Sequence, residues 1–160
     1  MVELAADVII PNEEEKILML KRNIYPFKGK WVLPGGHLEK DEKIEQTAKR
    51  EAKEETNLEI DVKKLLEIYS DPDRDPRGRY ISAAYIAERI NTEKRDIDVE
   101  TNQEATEAQW KDPSKVKREE TGFDHWKMIQ DYKRKFRDNT KKQKHIKTCK
   151  NKTKIDAEKQ

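Results

Sequence analysis

The 160-residue sequence predicts a single domain of the α/β (α+β) class. Three observations point there. Short apolar runs are punctuated by Pro, Gly and Asn before residue 37, a Gly- and Pro-free helical stretch runs from Glu42 to Thr56, and strand-like runs then return before a final amphipathic segment.

Val8 to Ile10 and Ile17 to Leu20 are apolar runs separated by Pro11, Asn12 and three glutamates, the pattern of two strands joined by a polar turn. Trp31 to Leu33 reads as a third strand. Pro34, Gly35 and Gly36 follow it, and their missing donor and permissive backbone predict an irregular loop in place of further strand. Between Glu42 and Thr56, strong helix formers dominate and Ile44, Ala48 and Ala52 recur every fourth residue, a narrow stripe whose alanines allow close approach to a sheet. Asn57 tolerates the left-handed conformation that ends many helices. Leu58 to Ile68 holds one or two strands, Asp71 to Gly78 is dense in turn formers, and Arg79 to Ala87 is the returning strand. Ala108 to Trp110 is a short strand, while Phe123, Trp126, Met128, Ile129 and Tyr132 mark a C-terminal amphipathic helix. No repeat with a period of 20 to 50 residues is present, which excludes a solenoid.

Charged residues make up 42% of the chain and hydrophobic ones 33%, so the core must come from part of it. The near-neutral total hides an asymmetry: residues 1–132 carry a net −7 and residues 133–160 a net +9. Apolar periodicity also stops at Phe136. The expected organisation is therefore a domain over residues 1–136 and a basic tail of low hydrophobicity over residues 137–160. Lys141, Lys142, Lys144, Lys147, Lys150, Lys152 and Lys154 suit counterion release on a nucleic acid, but no aromatic side chain interleaves with them, so a solvated extension is the favoured reading. No run approaches the 18 apolar residues of a membrane span, and the single cysteine, Cys149, excludes an intrachain disulfide; the expected location is the cytoplasm.

Glu51, Glu54 and Glu55 share one side of the predicted helix. Like charges so placed repel by a few tenths of a kcal/mol per pair, a cost that a divalent cation between them would offset. Mg2+, with Mn2+ as the alternative, suits carboxylate oxygens completed by substrate phosphates. Taken alone, the same residues also make an ordinary solvated face laced by pairs such as Glu45 with Lys49 and Arg50 with Glu54.

The residues ahead of the helix decide between the two. Gly36, five residues, Glu42, seven residues, then Arg50-Glu51-Ala52-Lys53-Glu54-Glu55-Thr56-Asn57-Leu58 resembles the Nudix box, G-x5-E-x7-R-E-U-x-E-E-x-G-U with U apolar. Every spacing matches, and the one departure is Asn57 in place of glycine. The stretch Lys28 to Gly36 leading into the box is also typical of that family.

The resemblance implies the Nudix fold, a mixed β-sheet sandwiched between helices, with the box as loop, helix and loop. It further implies that Glu51, Glu54 and Glu55 are metal ligands or base, with Glu51 and Glu54 catalytic, and that the Gly35 carbonyl is a further metal ligand. Arg50 would orient the carboxylates, Gly36 would shape the loop, and Glu42 would brace it or touch the metal through water. The implied reaction is attack of water on one phosphorus of a nucleoside diphosphate joined to another group. Ser70 to Arg79 and Phe123-Asp124-His125 resemble the ADP-ribose pyrophosphatase branch, which yields AMP and ribose 5-phosphate.

Arg74, Arg77 and Arg79 on the Pro-stiffened loop are candidates to present planar guanidinium forks to a diphosphate, as is Arg22 at the end of the second strand; Asp–Arg pairing within a rigid loop is the competing reading. Tyr25, Phe27 and Trp31 are candidates for stacking on adenine, with a core role favoured. His37, His125 and His145 lack metal-ligand spacing, and packing is the expected role of His125. A further glutamate from a later loop commonly precedes a tryptophan by six residues in the family resembled. Glu104 has that offset from Trp110, with Glu107 the runner-up and the amide of Gln103 unable to act as a base.

Three functions stay open at this level: a Mg2+-dependent ADP-ribose hydrolase, a noncatalytic ADP-ribose sensor, and an enzyme acting on a nucleoside triphosphate, dinucleoside polyphosphate or capped RNA. The complete carboxylate set opposes the sensor. The expected partner is a small nucleotide, and homodimers are common in the family resembled.

Overall fold

The computed structural model describes residues 1–90, 104–139 and 143; Gln103, His145, Cys149 and the tail lysines Lys141 to Lys154, except for Gln143 between them, lie outside the described residues. Among the described residues seven strands form two sheets. The first has the order β4 (Gly35–His37), β1 (Val2–Ile9), β6 (Arg79–Arg89), β5 (Ile60–Tyr69), and the second the order β3 (Trp31–Val32), β2 (Ile17–Arg22), β7 (Ala105–Lys111). β1 runs parallel to β6 and every other pairing is antiparallel, so the first sheet is mixed.

Alternation along the strands divides the core between two helices. Ala6, Val8 and Ile10 join Ala83, Tyr85 and Ala87 in a cluster closed by Ala48 and Ala52 of α1 (Ile44–Thr56). Ile9, Ile17, Met19 and Leu66 join Met128, Ile129 and Tyr132 of α2 (His125–Tyr132) in the other. The expected alanine stripe is therefore the sheet-facing side of α1, and both alanines are fully buried. Asn57 ends α1 in the left-handed conformation, φ 57°, and its N–H donates to the Lys53 carbonyl at 2.9 Å.

Several expectations need correction. β1 begins at Val2, six residues before the expected strand. Gly35 to His37, expected as irregular loop, form a strand antiparallel to β1, with Gly35 opposite Asp7 and Gly36 opposite Ala6. Glycine makes this possible: a Cβ at Gly35 would overlap the Ala6 carbonyl and the Asp7 side chain. Leu58 to Ile68 resolves into the one strand β5, bulged at Val62/Lys64 and Leu65/Glu67. Phe123 lies outside the C-terminal helix, with a left-handed backbone at φ 51°. α2 begins two residues later and continues into a wider π-helical turn, Lys133–Arg137.

No helix of the described residues is long and apolar enough to cross a membrane. Because Ala52 is completely buried against the sheet, Ala52→Leu should lower stability by about 1–3 kcal/mol through overpacking, read as a lower urea midpoint at unchanged slope. An unaltered midpoint would show that α1 can move off the sheet at no cost.

Candidate active site

The N-terminal half of α1 and the preceding loop are organised around Arg50. Its Nε and Nη2 donate to the two Glu42 carboxylate oxygens at 3.1 and 2.9 Å, and Nη2 also donates to the His37 carbonyl at 2.9 Å. Nη1 donates to Glu51 at 2.9 Å and Glu54 at 3.2 Å. Glu42 accepts in addition from Thr47 Oγ1 at 2.8 Å and Glu39 N–H at 2.9 Å, so it braces the loop. These contacts, the Arg50 hydrogen bond foremost, hold the Glu42 carboxyl down at about 2.

The 0, 3, 4 spacing sets the other carboxylates apart by depth. Glu54 is half exposed, Glu51 is mostly covered and Glu55 is buried. Glu55 accepts from the Gly35 N–H at 3.1 Å. Gly36 lies directly against the Glu51 carboxylate, where any Cβ would overlap it. Burial pushes the Glu51 carboxyl up to about 7 against the pull of Arg50, and burial followed by the Glu51 charge pushes Glu55 well above the ordinary range. Two carboxylates thus sit side by side in a setting that resists ionising both.

A cleft of about 380 Å³ opens over this helix face. Gly35, Gly36, Arg50, Glu51, Glu54 and Glu55 line it, with Arg22, Arg74, Arg77 and Glu104 also on its wall. Glu104 and Arg22 are brought together by the loop before β7, where Asn23 N–H donates to the Glu104 carbonyl at 2.8 Å. Glu107 is instead paired with Lys21 at 3.5 Å and does not line the cleft. Arg79 donates to the Ser70 carbonyl at 2.5 Å and is likewise outside it.

Arg74 differs from its expected disposition. Its side chain is 4% exposed, and its Nε and Nη2 form a fork onto Asp124 at 3.0 and 2.8 Å. Asp–Arg pairing therefore holds this guanidinium in the wall. Arg77 is half committed: Nε and Nη2 donate to Asp75 at 3.0 and 2.7 Å.

Beneath the cleft lies a polar group that sequence reasoning missed. Asp7 is buried and accepts from Ser82 Oγ at 2.5 Å, with His125 Nε2 at 3.3 Å and Arg74 Nη2 at 3.9 Å. Burial raises its carboxyl, but His125, Ser82 and Arg74 together hold it below the ordinary value. Leu33 N–H donates to His125 Nδ1 at 2.9 Å, which leaves the imidazole proton on Nε2, facing Asp7. A lone charge in the apolar run Ala5 to Ile10 was the available signal. Of the aromatics, Tyr25 is exposed, Phe27 packs on Phe123, and Trp31 is covered by Lys111 at 4.0 Å, while His37 stacks on Tyr80 at 5.3 Å on the cleft rim.

The donor set suits a hard divalent cation: adjacent buried carboxylates that resist joint ionisation, a third at the surface, and nearby backbone. Among the described residues no three such side chains converge into a closed ligand group; Glu51 and Glu54 are drawn to Arg50.

A model of the NUDIX domain family matches residues 1–144. The chain is 44% identical over 131 residues to the ADP-ribose pyrophosphatase of Methanocaldococcus jannaschii, covering 82% of this chain and 73% of that protein. A MutT/nudix family protein from Enterococcus faecalis superposes with a TM-score of 0.67 at 26% identity, covering 84% of this chain and 62% of that one. A bifunctional NMN adenylyltransferase/ADP ribose pyrophosphatase from Francisella tularensis, solved with AMP and a manganese ion, gives a TM-score of 0.70 at 27% identity, covering 82% of this chain and 41% of that one.

The raised carboxyls have a measurable sign. Unfolded glutamates titrate near about 4.3, so between roughly pH 5 and 8 the folded chain holds protons that the unfolded chain has lost, and stability falls as pH rises through that window. Glu42 acts oppositely, but its contribution is lost only as pH falls from about 4.3 toward its held value of about 2. The melting temperature of the metal-free chain should therefore fall from pH 5 to 8. Added Mg2+ should raise it more at pH 8 than at pH 5 and release protons, measurable by calorimetry in buffers of different ionisation enthalpy. Glu51→Gln should flatten the metal-free slope; a variant with the parent slope would remove Glu51 as its source.

Proposed function

Since this chain belongs to the NUDIX family and is a Nudix hydrolase, we propose that it hydrolyses the pyrophosphate bond of ADP-ribose to AMP and ribose 5-phosphate with Mg2+. The observation that carries this reading is a cleft lined by both signs of charge: the carboxylates of α1 and Glu104 together with Arg22 and Arg77. The carboxylates suit a divalent cation and the arginines the charge of a diphosphate. The similarity to the Methanocaldococcus jannaschii ADP-ribose pyrophosphatase supports the choice of substrate.

Glu51, Glu54, Glu55 and the Gly35 carbonyl would hold the cation. When bound, it supplies charge neutralisation of the pyrophosphate and activation of water. The protein does the rest. Arg50 fixes the Glu51 and Glu54 carboxylates, Gly36 leaves the room Glu51 needs, and Arg22 and Arg77 orient the substrate phosphates. Glu104, at the cleft edge, takes the proton of the attacking water on a carboxylate oxygen. The same reading assigns catalysis to residues 1–136 and leaves residues 137–160 as a basic appendage of a cytoplasmic enzyme.

Product analysis after incubation with ADP-ribose and Mg2+ tests the reaction directly; AMP and ribose 5-phosphate in equal amounts are expected, and an intact substrate beside rapid turnover of a nucleoside triphosphate would overturn it. Glu54→Gln should cut turnover by roughly a hundredfold or more with an unchanged circular dichroism spectrum, since its side chain is 54% exposed and adds little to the core. Near-parent rates would take α1 out of the mechanism.

Glu104→Gln should lower turnover with little change in substrate affinity, while Glu107→Gln, removed from the cleft and paired with Lys21, should leave turnover within about threefold. The reverse pattern in steady-state kinetics would assign the proton to the wrong glutamate.

A further inference from the structure

Phe123 lines the cleft beside two of its arginines. Its ring is 5.1 Å from the Arg22 guanidinium carbon and 5.6 Å from that of Arg77, so both cations lie against one aromatic side chain. Arg77 is in turn 4.9 Å from the Tyr80 ring, which stacks on His37. The Phe123 ring is itself held. Phe27 packs edge-on against it at 4.8 Å, His125 lies 5.4 Å away, and the preceding Gly122 is pinned by its N–H bond to the Trp31 carbonyl at 3.0 Å. A Cβ at Gly122 would come within 2.9 Å of Phe27 Cβ, so the turn admits no bulkier residue there without movement.

Aromatic contact covers guanidinium faces and leaves the N–H edges available. On Arg22 the Nε is engaged by the Pro26 carbonyl at 2.6 Å, and on Arg77 the Nε and Nη2 are engaged by Asp75. Among the described residues, both Nη groups of Arg22 and Nη1 of Arg77 have no hydrogen-bond partner. The two cations also sense each other, since burial first and the Arg77 charge second make the Arg22 proton easier to lose. An anion with charge on two adjacent centres can meet Arg22 and Arg77 together and relieves that repulsion; a single phosphate meets one of them.

We infer that Phe123 is a positioning residue that seats Arg22 and Arg77 as a paired clamp for the diphosphate of a nucleotide, and so sets selectivity for a diphosphate over a monophosphate. The inference rests on the diphosphate-binding part of the reading above and not on hydrolysis.

Calorimetric titration of the full chain with ADP and with AMP, in EDTA so that the clamp is read without a cation, tests it. The parent should bind ADP at least tenfold more tightly than AMP. Phe123→Leu keeps an apolar side chain at the left-handed position but removes the ring; ADP affinity should fall about tenfold, because both arginines then have to be ordered on binding, with AMP affinity within threefold. Phe123→Tyr restores the ring and should restore the ADP preference. A parent-like ADP to AMP ratio in Phe123→Leu, or a Tyr variant as weak as Leu, overturns the clamp.

A second measurement needs no variant to fold. The Nε–H resonances of Arg22 and Arg77 in the parent should shift together as ADP saturates, and a resonance that stays in place overturns the paired grip. A chain that discriminates ADP from AMP in this way yet leaves ADP-ribose intact keeps the clamp and overturns the substrate reading. Conversely, a chain that hydrolyses ADP-ribose while Phe123→Leu keeps the parent ratio loses only the clamp.

Discussion

One guanidinium holds the acidic helix face and the loop before it in a common arrangement. Arg50 bonds to Glu42, Glu51, Glu54 and the His37 carbonyl, so residues from β4, the following loop and α1 meet on a single planar group. Lysine offers a single ammonium in place of five directed donors and has no geometry that serves all four partners. Without this cation the glutamates of α1 repel at close spacing, and Glu51 loses the neighbour that offsets its burial. The pairing of β4 with β1 anchors the start of the loop, and Glu42, held by Arg50, braces the rest of it.

A second compensated charge ties together other elements that line the cleft. Asp7 brings together Ser82 from β6, His125 from α2 and Arg74 from the loop between β5 and β6, and Asp124 completes the arginine's fork. A buried carboxylate is costly unless it is paired and hydrogen-bonded, and here each polar atom finds a partner from a different element. The loop that carries Arg74 and Arg77 therefore has a rigid anchor. Arg74 fixes the loop from behind, and Arg77, three residues on, faces the cleft from it.

Much of the site was legible because it depends on local geometry. Helical periodicity alone put Glu51, Glu54 and Glu55 on one side of α1, and the offset from Trp110 singled out Glu104, which the fold does bring to the cleft. Residues whose position depends on distant chain segments were not legible. Gly35 and Gly36 look like a break from within their own neighbourhood; only the approach of β1, thirty residues earlier, makes them a strand. Arg74 and Arg77 are indistinguishable by type and spacing, and they differ because Asp124 arrives fifty residues later to claim one of them. Phe123 satisfies the periodicity of α2 but stands outside it, since a left-handed backbone turns the chain before the helix starts.

The open rim of the mixed sheet has a bearing on the chain's behaviour in a crowded solution. Among the described residues β5 ends the sheet with ten residues, including exposed Leu65 and Ile68, a length and composition that invite another strand to add on. Its two bulges break the regular spacing of donors and acceptors, the charges of Lys63, Lys64 and Glu67 interrupt the apolar pattern, and Lys135 reaches across to the Leu66 carbonyl at 3.4 Å. A growing fibril requires an uninterrupted ladder, and this margin presents a broken one.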